Sequence, residues 1–188
     1  MKKFPTLGFC GLDCGLCPRY YTKGESRCPG CFGKDFAKKH PSCSIITCCL
    51  KDKDLEVCGE CPEYPCEKYG EETFEKDSFI SHQRIGYNHN FIREYGLDLF
   101  LKQQKKRIEL LEEFLERFDE GRSKSFFCLA AALLSLESLE KALEKIEKEI
   151  EKGSIGVDDS RAGGKILKNL LNNYAREEKE ELKLRKSP

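Results

Sequence analysis

Tryptophan is absent from this chain and methionine occurs once. That excludes the soft, Met-rich surfaces by which promiscuous binders adapt to many partners. Amide side chains are few, whereas Asp, Glu, Lys and Arg make up 35% of the residues, a bias also met in thermophile proteins. Neither charge sign is in excess: 33 basic residues face 33 acidic ones, which argues against a general polyanion-binding protein. No run approaches the ~18 apolar residues of a membrane span. The start, Met1-Lys2-Lys3-Phe4-Pro5, carries positive charge without the apolar stretch of a signal peptide. These absences lead us to expect a cytoplasmic protein that engages no membrane.

Cysteine is scarce in the last two-thirds, where Cys128 stands alone, and dense before it. Cys10, Cys14, Cys17, Cys28, Cys31, Cys43, Cys48, Cys49, Cys58, Cys61 and Cys66 fall within one short segment. In a reducing cytoplasm such clusters are metal sites more often than disulfides, the intracellular proteins of hyperthermophiles being the exception. The same segment holds Pro5, Pro18, Pro29, Pro41, Pro62 and Pro65, many glycines, and no lasting hydrophobic period. It cannot bury enough apolar area to order itself. A metal bound only by the folded form supplies on the order of 10 kcal/mol per structural zinc.

From residue 71 the pattern becomes helical. Leu97, Leu101, Ile108, Leu111, Leu115 and Phe118 recur at three- and four-residue steps, and Gly121 stops the run. A second helix is expected from a cap at Ser123 or Ser125 through Leu129, Leu133, Leu136, Leu139, Leu143 and Ile146 to Ile150, broken at Gly153 to Gly156. Asp158, Asp159 and Ser160 offer caps for a last helix through Ile166, Leu167, Leu170, Leu171 and Tyr174, with a frayed end from Arg176 to Pro188. One or two shorter helices are expected around Phe74, Phe79, Ile80, Tyr87, Phe91 and Ile92. The fold class is therefore mainly α: a small cysteine-rich, metal-bound module over residues 1–70, followed by an antiparallel helical bundle over 71–188. A folded-back core accounts for the leucine stripes; a homodimer seam, or another protein partner, is the alternative.

Zinc takes four thiolates in a tetrahedron, and a C-x-x-C turn delivers two of them to one edge. Cys14-x2-Cys17-x10-Cys28-x2-Cys31 fits one such site. Cys58 and Cys61 form another half-site, completed by Cys43 and Cys48, with Cys66 as a substitute; Cys10 can enter the first site. Ten cysteines thus compete for the eight positions of a two-Zn2+ scheme. Cys49 adjoins Cys48, and neighbouring cysteines rarely bind one ion together, so it is set aside. Cys128 reads as a small core residue. An iron–sulfur cluster, also held by four thiolates, is the rival. Cys10-x3-Cys14-x2-Cys17 matches the radical S-adenosylmethionine triplet, but the βα alternation that chemistry requires is missing.

Cys10-Gly11-Leu12-Asp13-Cys14-Gly15-Leu16-Cys17-Pro18-Arg19-Tyr20, then Cys28-Pro29-Gly30-Cys31, then Cys43 to Cys48 and Cys58-Gly59-Glu60-Cys61-Pro62-Glu63-Tyr64-Pro65-Cys66-Glu67-Lys68, resemble the successive blocks of a known family. It is the cysteine-rich domain-of-unknown-function family numbered 3795, of bacteria and archaea. The resemblance covers about residues 8–70, and Asp119 to Cys128 looks like a block of its longer members. It implies metal binding through Cys10, Cys14, Cys17, Cys28, Cys31, Cys43, Cys48, Cys58, Cys61 and Cys66. It carries over no catalytic residue.

Three further features bear on function. From Arg19 to His40 six basic residues meet two acidic ones, with Tyr20, Tyr21, Phe32 and Phe36 interleaved. Such a face can bind single-stranded nucleic acid, although aromatics covering a metal core explain it as well. His40 lies between cysteine turns and is a candidate ligand; His82 and His89 suit packing or surface roles. Arg122 to Ser125 is a polar helix start that could hold an anion or simply cap. The expectation is a binding or adaptor protein with structural zinc, whether or not it is also an enzyme. An iron–sulfur redox protein and a single-strand binder are the alternatives.

Overall fold

Proline and glycine interrupt the first third so often that only short turns form there. Cys14–Leu16, Phe36–Lys38 and Cys58–Glu60 are single 3-10 turns. The helix α1, Ser44–Ile46, runs on as a wide π turn over Thr47–Asp52. The structure is a computed structural model that describes residues 2–40, 42–69, 75–156 and 158–185. Among these it is mainly helical and contains no strand. The expected division at residues 70/71 and the expected helical residue Phe74 lie outside the described residues.

Two compact units are present, Met1–Gln104 with Leu184–Pro188, and Lys105–Lys183. The first contains the turns, helix α2 (Ile85–Tyr95) and the start of helix α3 (Leu97–Phe118). Its buried residues form two clusters. Leu7 and Val57 from the cysteine-rich segment pack with Ile92 and Phe100 from the helices. Phe9, Cys31 and Cys49 form the other. Half of the first cluster thus comes from α2 and α3. Of the residues expected in short helices, Tyr87, Phe91 and Ile92 lie in α2, while Phe79 and Ile80 precede it in irregular chain.

The second unit holds the rest of α3 with α4 (Lys124–Leu133), α5 (Leu136–Glu151) and α6 (Ser160–Glu178). Phe114, Phe127, Leu133, Leu134, Leu139, Ile146 and Leu167 are fully buried within it. The single helix expected through Ile150 is in fact two. Leu134 is extended, and the Ser135 hydroxyl accepts the Ser138 N–H at 3.1 Å to start α5. Arg107 donates to the carbonyls of Ala131 (2.8 Å) and Leu134 (2.6 Å), groups that a helix end leaves unpaired. Ser123 occupies the cap position of α4 without capping through its hydroxyl; the Asp119 carboxylate accepts the Ser123 N–H at 2.8 Å instead. No helix among the described residues is long and apolar enough to cross a membrane.

The tail departs from the frayed end expected from Arg176 on. The helix α6 continues to Glu178, and Arg185 donates from its backbone (2.8 Å) and guanidinium (2.9 Å) to Asp77. Glu178 accepts from the Ser135 N–H and from the hydroxyls of Ser135 and Ser138. Burial pushes the Glu178 carboxyl up, but these hydrogen bonds outweigh it, and the group titrates below the ordinary 4.5. A depressed acid stabilises the fold above its unfolded pKa and ceases to as pH falls through the folded one. Glu178→Ala is therefore expected to lower the melting temperature at pH 7 by a few degrees, with the difference narrowing as pH falls below 4.5 through the depressed Glu178 pKa. Parallel thermal melts of the two proteins check this.

Candidate metal centre

Two of the three C-x-x-C units adopt the same turn. Cys17 donates its N–H to the Cys14 carbonyl at 3.2 Å, and Cys61 does so to Cys58 at 3.0 Å. The third unit is built differently. Gly30 has φ +80°, and the chain around it is tied back by Cys28 N–H to Arg19 O (2.9 Å) and Cys31 N–H to Pro5 O (2.8 Å). Cys58 N–H also donates to the Phe9 carbonyl at 2.9 Å, which fixes the Cys58 turn against the first strand of chain.

Buried polar side chains from the helices hold the first turn. Asp13, between Cys10 and Cys14, accepts from Asn88 of α2 at 2.7 Å and from Gln104 of α3 at 2.9 Å. Asn88 also donates to the Gly11 carbonyl at 2.8 Å. His89 of α2 is fully buried between the two similar turns. Its Nε2–H donates to the Cys10 carbonyl at 3.0 Å, and its ring lies 4.3 Å from that of Tyr64. A Cβ on Gly11 would approach the imidazole to 2.7 Å, and one on Gly59 would approach it to 3.0 Å. One histidine thus packs against both Gly11, which follows Cys10, and Gly59, which follows Cys58, and leaves little room for a side chain at either. Burial pulls the His89 pKa down to about 4. The ring therefore stays neutral while the unfolded chain protonates near 6.5, and stability falls as pH drops from 6.5 towards 4. An NMR titration of the His89 imidazole should show a midpoint near 4; a midpoint near 6.5 would contradict this placement.

All twelve cysteines are unpaired thiols. They gather around two cavities of the first unit. A cavity of about 510 Å³ is lined by Cys14, Cys17, Cys28 and His40, with Arg19 and Lys39 among its polar residues. A second, of about 360 Å³, is lined by Cys48, Cys49, Cys58, Cys61 and Cys66. Cys10, Cys31 and Cys43 line neither. Cys10 is half-buried, with Cys31, Cys43 and Cys58 for neighbours, and Cys31 sits in the cluster with Phe9 and Cys49. Cys128 is buried in α4 of the other unit. Among the described residues no three His, Cys, Asp or Glu side chains already converge as a metal shell. The thiols surround the cavities, and closing a shell requires their side chains to rotate inwards.

Burial raises the thiol pKa of Cys10 to about 12 and moves Cys14, Cys17 and Cys31 the same way. Cys58 is the exception. Hydrogen bonding from Cys49 pulls it down to about 7 against burial, with help from Tyr69. Lys2 is the unexpected member of this site. Its side chain is enclosed, its ammonium lies 3.8 Å from the Phe9 ring centroid, and it donates to the Glu56 carbonyl. Burial lowers its pKa, while Cys31, Glu56, Cys49 and Cys14 act to keep it charged. Neither Lys2 nor Cys49 was singled out from sequence. The adjacency that set Cys49 aside is resolved by the π turn Thr47–Asp52, which brings Cys48 and Cys49 to one cavity.

A cysteine-lined module supported by helices, with no strand among its described residues, is the class this geometry defines. Residues 6–71 match the family model described as "Protein of unknown function (DUF3795)", an uncharacterised family. The Asp119–Cys128 block lies outside the match. No curated protein and no solved structure matches the chain.

Proposed function

We propose that residues 2–69 form a metal-binding module with two thiolate sites, one at each cavity, and that the protein serves as a binding or adaptor protein. The observation that carries this is the sorting of eight cysteines and His40 around two separate cavities. The enclosed Lys2 ammonium supports it. A buried cation is costly unless anionic groups face it. Its one carboxylate neighbour, Glu56, is 3.9 Å away, whereas Cys31, Cys49 and Cys14 surround it. Thiols whose pKa is raised by burial become anions when a cation such as Zn2+ binds the sulfur and displaces the proton to solvent. Zn2+ is the ion favoured by a donor set of thiolates and imidazole. A shell closed by four protein ligands leaves no position for a reacting water, so the metal's role is structural.

An iron–sulfur cluster is the second reading, and the Cys48–Cys66 cavity favours it. Five thiols spread around about 360 Å³ suit a cluster, which takes four cysteines set wider apart than a single ion does. Elemental analysis with an absorption spectrum, on protein purified without oxygen, separates the two. About two zinc per chain and no visible band is the expected result. Iron with sulfide and a broad visible absorption assigns the cluster instead.

A further inference from the structure

We infer that His40 is the fourth ligand of the first metal site, with Cys14, Cys17 and Cys28, in the place that the C-x-x-C spacing assigns to Cys31. This assignment rests on the metal-binding reading above. His40 Nε2 lies 3.3 Å from Cys28 Sγ, and both line the cavity that also receives Cys14 and Cys17. The ring is held for that role. It stacks on Phe36 at 4.3 Å with planes 6° apart, and the His40 N–H donates to the Phe36 carbonyl at 3.0 Å. Lys39 next to it donates to the carbonyls of Glu25 (2.6 Å) and Arg27 (2.8 Å), which ties the turn to the chain entering Cys28. An imidazole nitrogen already beside one thiol, with its ring orientation fixed by stacking, is a preorganised ligand.

Cys31 is turned the other way. It is buried against Phe9 and Cys49, its N–H is spent on Pro5, and it does not line the cavity. Cys31 neighbours Cys14 and Cys28, but of the two candidates His40, not Cys31, lines the cavity with Cys14, Cys17 and Cys28. Three thiolates and a neutral imidazole around Zn2+ leave one net negative charge (2 − 3 = −1). Arg19, Lys39 and Glu25, on the wall of the same cavity, together carry one net positive charge, which matches it. The site is thus of the Cys3His type used for structural zinc.

Loading the full chain with Co2+ in place of zinc tests this, because thiolate-to-cobalt absorption grows with the number of thiolates bound. His40→Ala should lose one of the bound ions, or bind it at least tenfold more weakly, while Cys31→Ser keeps the wild-type count. His40→Cys should restore the count with stronger thiolate absorption, which guards against a mere folding defect in the alanine variant. Retention of both ions with an unchanged spectrum in His40→Ala, together with loss in Cys31→Ser, overturns the assignment. So does failure of His40→Cys to restore uptake. If the wild-type chain takes up no Co2+ or Zn2+ at all, the metal-binding reading itself falls and takes this ligand set with it.

Discussion

Stripping metal from this protein with a high-affinity chelator is expected to unfold the cysteine-rich segment and to leave the helices of Lys105–Lys183 folded. The segment contains only single turns and one short helix, and its own apolar core is Phe9 with two cysteines and their half-buried neighbours. A core of that size offsets little of the entropy of ordering some sixty residues. Zinc coupled to folding contributes on the order of 10 kcal/mol per ion, comparable to the whole stability of a domain. Amides bridging the segment report the loss: Gly8 to Leu12 (2.7 Å), Cys31 to Pro5 (2.8 Å) and Cys58 to Phe9 (2.9 Å). Their hydrogen-exchange protection should vanish on chelation, while amides in α5 and α6 keep theirs. Far-ultraviolet helicity should fall only modestly, since the long helices of the second unit carry most of it.

Gly30→Ala should be the most damaging conservative change in the segment, lowering stability by about 3 kcal/mol or more. Two causes add. Gly30 has φ +80°, a left-handed conformation that a Cβ disfavours, and that Cβ would stand 2.3 Å from the Pro5 carbonyl oxygen. The clash is with backbone, so no side-chain rotation relieves it. Moving Pro5 away breaks the Cys31 N–H bond and shifts Cys28 and Cys31, on opposite sides of the turn, together. Gly24, also at positive φ but with open space around it, is the control: Gly24→Ala carries only the conformational term. Urea titration of the two variants should separate them by at least 1 kcal/mol.

The long helices were legible because their signals are local. Leucine steps and Gly121 delimit α3, and Asp159 with Ser160 marks the start of α6, where the Asp159 carboxylate accepts the Ala162 N–H at 2.9 Å. The break at Leu134–Ser135 was not, because the leucine stripe runs through it unchanged. Ser135 followed by Glu137 is a cap signal, but it gains its weight from Arg107 and Glu178, which are remote in sequence. The cysteine content announced sulfur chemistry, and the repeated C-x-x-C turns at Cys14 and Cys58 were readable from spacing. Which thiols share a cavity was not. Spacing treats Cys28–Cys31 as the same unit as Cys14–Cys17, yet the positive φ of Gly30 and the bond to Pro5 rotate Cys31 into the core. Likewise nothing local marks His89 as the residue packed against Gly11 and Gly59 or Lys2 as the enclosed cation, since their partners lie far along the chain.

The most direct test of the account is native mass spectrometry of the intact chain, compared with the same sample denatured in acid. The account predicts a native mass exceeding the denatured one by two zinc ions less the protons that the thiols give up. A native mass equal to that of the bare chain, or one carrying iron and sulfide, would contradict it.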